Sequence, residues 1–362
     1  MQSTDAGATT PSIQAKYAHY LPTWNPKHKY PPLEPFEHHD HGKDADPSFP
    51  NLLPFETTTT HLTPTIGTEI KGVQLSSLSD AGKDELALFV ARRKVVVFRD
   101  QDFADLSIAD ALLYGSYFGR LHIHPTSGSP EGHPEIRVVY RGEGNGGRES
   151  ILRARTNTLS WHSDVSYEEQ PPGTTILFVL SKPDTGGDTL FVDAAEAYRR
   201  LSTPFQERLH GLKGRHSGIE KVNDEAIAAG IMRRAPVVND HPLVRTHPAT
   251  GEKALFVNPL GKFYSTLVTY SFSYINAGRI VTREIIGMKA EESDAILKFL
   301  FDHLAYGADF QARIKWEDRT VVIWDNRMTL HTALLDWESG QVRHLARITA
   351  QAERPYETPF AT

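Results

Sequence analysis

The sequence predicts a mainly β fold, an antiparallel double sheet of jelly-roll type with added helices. Short apolar runs rich in β-branched residues and bounded by charges or turn residues are typical of strands. Such runs lie at 95–98, 175–180 and 320–324. They do not alternate regularly with helices, which argues against a doubly wound parallel sheet. No internal repeat is visible.

Three stretches between these runs predict helices, at 108–118, 194–201 and 292–304. The second begins after Asp193, a residue type that accepts hydrogen bonds from the first amides of a helix, and Glu196 follows three residues later. We therefore expect an N-capped helix at that point.

Residues 1–54 predict an extended arm that lies over a main domain of residues 55–362. The arm holds nine of the 23 prolines and shows no apolar period, so it cannot form a core alone. The candidate anchors are the aromatic residues Tyr17, Tyr20, Trp24 and Tyr30. For the clustered His38, His39 and His41, an incidental surface position is favoured over a metal site.

Composition narrows the class of protein. The formal net charge is −6 and there is no long basic run, so nucleic acid is not an expected partner. The chain has no apolar stretch of ~18 residues and no signal-peptide pattern, which predicts a cytoplasmic protein without a membrane span. The absence of cysteine excludes disulfides, thiolate zinc sites and iron–sulfur clusters, and leaves histidines and carboxylates as metal ligands.

His162 and Asp164, two residues apart, are the first candidate metal ligands. On a strand, residues i and i+2 project from the same face, so both side chains would reach one ion. A His-x-Asp pair alone is weak evidence, because such tripeptides are common by chance. His331 follows the last predicted strand and supplies a third ligand, although by itself it would also fit a hydrogen-bonded histidine at a strand end. Two histidines and one carboxylate are diagnostic of Fe(II) sites that bind a co-substrate and dioxygen.

With these motifs in place, the sequence resembles the taurine/2-oxoglutarate dioxygenase family, of the fungal sulfonate dioxygenase type, over residues 55–355. The matching blocks, in order, are Leu-His-Ile-His-Pro at 121–125, Trp-His-Ser-Asp-Val-Ser-Tyr at 161–167, Gly-Gly-Asp-Thr-Leu-Phe at 186–191 and Trp-Asp-Asn-Arg at 324–327, with further similarity at 241–248 and 254–258. The resemblance implies a double-stranded β-helix, or cupin-like, core. It also implies an enzyme that uses Fe(II), 2-oxoglutarate and O2 to oxidise a C–H bond of a small organic acid.

The same resemblance implies that Thr189 and Arg343 hold the distal carboxylate of 2-oxoglutarate. Thr189 follows Asp164 after 24 intervening residues and Arg343 follows His331 after 11, and both spacings fit the family. The chemistry agrees, because a guanidinium pairs two-point with a carboxylate and a threonine hydroxyl adds a donor.

A second arginine, Arg347, shares a strand face with Arg343 if residues 343–349 form a strand. Two cations in one cavity imply two anions, and the resemblance assigns Arg347 to the acidic head of the primary substrate, with His124 as a further contact. His124 also fits a histidine that stabilises the turn before a proline. Taurine-using members carry a Tyr and an Asn where this chain has Ser127 and Thr158. These smaller side chains favour a bulkier or differently substituted acid over taurine.

Three other interpretations stay open at this point. A relative could act on a small amino or carboxylic acid by hydroxylation, desaturation or ring closure. A non-catalytic jelly-roll protein could bind a metal or an anion, but it would not need Thr189 and Arg343 at these spacings. A zinc hydrolase would need a general base, and no His-Glu-x-x-His helix occurs. The aromatic segment 263–283 is a candidate lid or subunit contact, which leaves a homo-oligomer open, although packing is the commoner use of such residues.

Overall fold

The computed structural model describes residues 16–25, 27–142, 151–153, 156–219, 232–259, 281–338 and 340–360. The helices with complete bounds in these ranges are α1 (Asp80–Arg93), α2 (Ile108–Ser116), α3 (Ala194–Arg199), α4 (Thr203–Leu209) and α5 (Ala290–Tyr306). The strands are β1 (Thr58–His61), β2 (Thr68–Lys71), β3 (Val95–Phe98), β4 (Arg137–Arg141), β5 (Pro172–Ser181), β6 (Thr189–Asp193), β7 (Lys213–Ser217), β8 (Val238–Pro242), β9 (Val244–Thr246), β10 (Lys253–Leu255), β11 (Thr282–Ile285), β12 (Gln311–Ile314), β13 (Val321–Asp325), β14 (Thr329–Ala333) and β15 (Arg343–Gln351).

Two facing sheets form the centre of the fold. The larger sheet has seven strands in the order β1-β2-β3-β13-β5-β15-β4, and the smaller has the order β12-β6-β14. Every pair in them is antiparallel except β2 with β3, which is parallel. Two further small sheets, β11-β7-β8 and β10-β9, flank this centre. The predicted jelly-roll double sheet is confirmed.

Strand β3 and residues 321–324 of β13 are apolar throughout and buried on both faces of the large sheet. On β3, Val95 and Val97 face the small sheet, whereas Val96 and Phe98 face a second core formed with α1 and α2. Strand β13 alternates in the same way, with Trp324 on the inner side. Because both faces are buried, apolar and polar residues do not alternate along these strands, and their sequences are continuous apolar runs.

The N-terminal arm contacts the main domain at several points. Tyr20 is fully buried, and its ring packs edge-on against Phe178 at 5.6 Å between centroids. Asp40 is buried and pairs with Arg327. Trp24 is half exposed, and its ring lies close to Gly128. The division of the chain at residue 54 stays a prediction.

The helix predictions are correct in position and shift at their ends. Helix α2 ends at Ser116, two residues before the predicted end, and α5 extends two residues beyond each predicted end. Helix α3 has the expected cap, because the Asp193 carboxylate accepts from the amides of residues 195 and 196. Of the aromatic segment 263–283, residues 263–280 lie outside the described residues. No helix among the described residues is long and apolar enough to cross a bilayer.

Candidate active site

Two of the predicted metal ligands are joined through their backbones. His331 lies in the middle of β14, and His162 forms an isolated antiparallel bridge with it. The amide of each donates to the carbonyl of the other, at 3.0 Å from His162 and 2.8 Å from His331. Because these groups face each other across a bridge, the two imidazoles lie side by side, 4.2 Å apart between ring centroids.

The prediction of a strand around His162 and Asp164 is wrong, because His162 forms only an isolated bridge and Asp164 lies in a turn. The chain turns after residue 163, and Val165 has a positive φ of 38°, a strained conformation for a β-branched residue. Asn326 holds the turn: its side-chain oxygen accepts from the Asp164 amide at 2.8 Å, and its side-chain nitrogen donates to the Asp164 carbonyl at 3.1 Å. Asp164 therefore reaches the histidines through a clamped turn and not through strand periodicity.

The three side chains converge on one point. One carboxylate oxygen of Asp164 lies 3.8 Å from Nε2 of His162, and the other lies 3.8 Å from Nε2 of His331. Two metal–ligand bonds of about 2 Å each span such a gap. Nδ1 of His162 lies 2.7 Å from the Ser160 carbonyl, to which it donates, so Nε2 keeps its lone pair for a metal. The donor set thus fits a divalent ion with three protein ligands.

Asp164 is a carboxylate at any physiological pH. Burial by itself would raise its pKa, but the Arg347 guanidinium, and then His331 and His162, outweigh burial and hold the pKa well below its usual range. Nη1 of Arg347 donates to both carboxylate oxygens at 2.7 Å. A deprotonated acid is the form that binds metal.

The predicted 2-oxoglutarate residues, Thr189 and Arg343, are the first residues of β6 and β15. Nε of Arg343 donates to the carbonyl of Gly187, two residues before Thr189, at 2.8 Å. Gly187 has a positive φ of 71°, and a Cβ there would lie 3.1 Å from the Arg343 side chain, so glycine allows this approach. Arg343 is 4% exposed, and its terminal nitrogens make no hydrogen bond to a described residue. Burial, and then the nearby Arg141, lower its pKa to about 10, which keeps it cationic at neutral pH.

The four predicted substrate residues differ in their surroundings. Arg347 lies on β15 on the same face as Arg343, as expected, but it contacts Asp164 directly. His124 is buried, and its Nδ1 accepts from the backbone amides of residues 126 and 127, so it stabilises its own turn. Ser127 and Thr158 are partly buried. The substrate roles of these residues stay predictions.

Two residues at the site were missed by the sequence interpretation. Asn326 stood inside a matching block, but nothing in the sequence showed that its amide would bracket a residue 162 positions earlier. Arg137, on β4, brings a guanidinium to 4.0 Å from Asp164. The available signal was the spacing of Arg137 and Arg141, which puts both on one strand face.

A jelly-roll core that brings two histidines and one carboxylate together, with buried arginines nearby, is typical of mononuclear non-haem iron oxygenases. The family model for taurine catabolism dioxygenases, the TauD, TfdA family, matches residues 58–349. The chain belongs to this family, and it is an Fe(II)- and 2-oxoglutarate-dependent dioxygenase.

Individual relatives agree with this assignment. An alpha-ketoglutarate-dependent sulfonate dioxygenase of Saccharomyces cerevisiae is 45% identical, over 95% of this chain and 80% of the relative. The alpha-ketoglutarate-dependent dioxygenase cnsP of Penicillium expansum is 41% identical, over 94% and 87% of the two chains. A crystal structure of a taurine dioxygenase from Burkholderia xenovorans superposes with a TM-score of 0.63 at 30% identity, over 83% of this chain and 90% of the other.

Proposed function

We propose that His162, Asp164 and His331 bind the Fe(II) of this dioxygenase and that Thr189 and Arg343 bind the distal carboxylate of 2-oxoglutarate. The observation that carries the proposal is the convergence of three ligand atoms within 4.8 Å of one another, fixed by a backbone bridge and an asparagine clamp. Three protein ligands leave coordination positions for a chelating co-substrate and for dioxygen.

Fe(II) held by these residues would supply the activation of O2, which takes 2-oxoglutarate to succinate and CO2 and puts the second oxygen atom on a substrate carbon. The protein's own contribution is to position the reactants. The Trp316 indole nitrogen lies 3.2 Å from the Thr189 hydroxyl oxygen and donates to it, which turns the threonine proton toward another acceptor. Arg343 offers its terminal nitrogens in a buried place where a carboxylate pairs strongly.

The substrate we propose is a small organic anion, a sulfonate in the first place. The S. cerevisiae relative is named as a sulfonate dioxygenase, and Arg347 places a buried guanidinium beside the metal ligands. Hydroxylation of the carbon that carries the sulfonate gives an α-hydroxysulfonate, which breaks its C–S bond to an aldehyde and bisulfite. The partly buried Ser127 and Thr158 favour an acid longer than taurine. We infer a cytoplasmic location, which the absence of cysteine favours.

A substrate panel tests this function. The purified protein is loaded with Fe(II) and 2-oxoglutarate and given taurine, pentanesulfonate, pentyl sulfate and hexanoate, with succinate and sulfite measured separately. We expect substrate-dependent succinate with all accepted acids, and sulfite from pentanesulfonate above the level from taurine.

The controls separate the parts of the proposal. His162→Ala should abolish succinate release with every acid, because a three-ligand site loses most of its iron affinity with one ligand. Normal turnover by that variant would refute the metal assignment. Preference for taurine over every longer acid would instead refute the interpretation of Ser127 and Thr158 and leave the metal assignment intact.

A further inference from the structure

The pairing of β4 with β15 places arginine opposite arginine twice. Arg343 lies opposite Arg141, and Arg347 lies opposite Arg137, in one unbroken antiparallel register. Leu345, between the two arginines of β15, belongs to the inner core between the sheets, and Val139 opposite it packs against that core. Because side chains alternate along a strand, all four arginines project toward the inner face.

Like charges directly opposite each other weaken strand pairing, so this arrangement requires anions. Among the described residues, Asp164 supplies the one carboxylate within 4.0 Å of any of the four guanidinium groups. Four cations against one carboxylate leave the cluster strongly positive, which favours two anionic ligands.

The donors that the protein leaves unused are on the same guanidinium groups. Nε of Arg347 is buried without a hydrogen-bond partner in the described residues, while its Nη1 is taken by Asp164. Arg137 makes no hydrogen bond to a described residue, and its side chain is 23% exposed against 6% for Arg347. Arg137 therefore lies nearer to solvent, with its donors available to a ligand beside Asp164.

We propose that Arg137 and Arg347 together bind the acidic head of the primary substrate, and that this pair selects a head with three terminal oxygens, a sulfonate or a sulfate ester, over a carboxylate. The inference rests on the proposed function of the same site. Asp164 occupies Nη1 of Arg347, which leaves the planar edge formed by Nε and Nη2, and this edge pairs two-point with two oxygens of one head group while the third oxygen of a tetrahedral head lies out of its plane. A third oxygen needs another donor, and Arg137 provides it from the neighbouring strand.

Arg141 gives a matched control on the same strand and face. It lies opposite Arg343 and not opposite Arg347. Removal of the Arg141 charge should weaken the binding of 2-oxoglutarate and leave the binding of the substrate's acidic head unchanged. The two variants, Arg137→Gln and Arg141→Gln, each remove one cation from the same cluster, so a general loss of charge cannot explain opposite effects.

The experiment measures binding by anaerobic calorimetry on the full chain loaded with Fe(II) and 2-oxoglutarate, with pentanesulfonate, pentyl sulfate and hexanoate as ligands. Arg137→Gln should weaken the affinity for the sulfonate and for the sulfate ester by about tenfold or more. The affinity for hexanoate should change by less than about threefold, and the half-saturating 2-oxoglutarate concentration should stay within about twofold of the wild-type value. Arg137→Lys keeps the cation and should fall between wild type and Arg137→Gln. The relative affinity of the wild type for pentanesulfonate and pentyl sulfate tells which tetrahedral head is preferred.

The outcomes that overturn the inference are distinct from those that overturn the proposed function. If wild type binds the anions and Arg137→Gln binds all three with unchanged affinity, or loses hexanoate equally, the two-arginine clamp is refuted and the proposed function stands. If Arg137→Gln instead weakens 2-oxoglutarate as Arg141→Gln does, Arg137 belongs to the co-substrate. If wild type binds none of the three anions, the proposed function fails and the inference fails with it.

Discussion

Asp164→Ala should destabilise the metal-free protein, in addition to abolishing iron binding. Asp164 is 1% exposed, and Nη1 of Arg347 donates to both of its carboxylate oxygens at 2.7 Å. Truncation would leave a buried guanidinium without an anion. Breaking a buried pair by removal of one partner costs about 3–5 kcal/mol, a large fraction of the roughly 5–15 kcal/mol that stabilises an ordinary protein.

His162→Ala is the matched control, because it also removes one proposed metal ligand but leaves no buried charge unpaired. The His162 side chain is 18% exposed, and we expect its loss to cost about 1 kcal/mol in the metal-free protein. Urea unfolding of chelator-treated wild type, His162→Ala, Asp164→Ala and Asp164→Ala/Arg347→Leu gives the four free energies of unfolding. The double variant should recover about 2 kcal/mol or more over Asp164→Ala.

Equal stability of metal-free Asp164→Ala and His162→Ala would refute this reasoning, since it would mean that Arg347 is not paired with Asp164 in solution. A double variant no more stable than Asp164→Ala would show that the cost arises from lost packing and not from the orphaned charge.

Three further predictions concern the co-substrate, the clamp and acid stability. Arg343→Lys and Thr189→Val should each raise the half-saturating 2-oxoglutarate concentration in succinate-release assays while anaerobic Fe(II) binding persists; unchanged values for both would show that the anchor is misassigned. Asn326→Ala should destabilise the protein by about 1–3 kcal/mol in urea unfolding and weaken Fe(II) binding, because the buried Asp164 amide loses its acceptor. An Asn326→Ala protein with wild-type iron affinity would contradict the clamp. Burial lowers the pKa of His241 to about 4, so the folded state disfavours its protonation, and the stability it contributes is present above pH ~6.5 and is lost as pH falls toward 4, by about 3 kcal/mol in all. His241→Gln should flatten that acid limb in urea unfolding measured from pH 7 to 4, and an unchanged limb would assign the acid sensitivity to other groups.

The local sequence pattern predicted much of the fold, because the composition of the most apolar strands fits few other structures. A run such as 95–98 is short, β-branched and apolar throughout, and the structure contains that strand with the predicted bounds. The motif spacing likewise named His162, Asp164 and His331, which the structure brings together. Both kinds of signal are carried by residues close in sequence or by a spacing that a family shares.

Contacts between distant segments carried no such signal. The backbone bridge between His162 and His331 joins residues 169 positions apart, and the sequence around neither residue predicts it. The pairing of Arg347 with Asp164 depends on where β15 passes the turn, so a residue assigned to substrate alone proved to contact a metal-ligand candidate. The opposition of Arg137 to Arg347 needed the strand register, which a sequence does not state.

The turn between β13 and β14 is fixed by a network of buried charges. Nε of Arg327 donates to one oxygen of Asp325 at 2.9 Å and Nη2 donates to the other at 2.7 Å. Nη1 of Arg327 reaches Asp40 of the N-terminal arm and, at 3.0 Å, Glu353 after β15. His247 lies 2.8 Å from the second oxygen of Asp325. Burial alone would lower the pKa of Arg327, but these carboxylates, Asp325 first, raise it well above its usual range.

This network lies directly beside the clamp on the candidate iron site. Asn326, which brackets the Asp164 peptide, stands between the two paired residues of the network, and β14 begins three residues later and carries His331. A buried network of charge pairs permits few alternative arrangements of the backbone that carries it, because a shift would leave a buried charge without its partner. The arm residue Asp40 is one of those partners. The N-terminal arm therefore contributes to the position of two proposed iron ligands, even though it lies outside the jelly roll and its sequence resembles a loose extension.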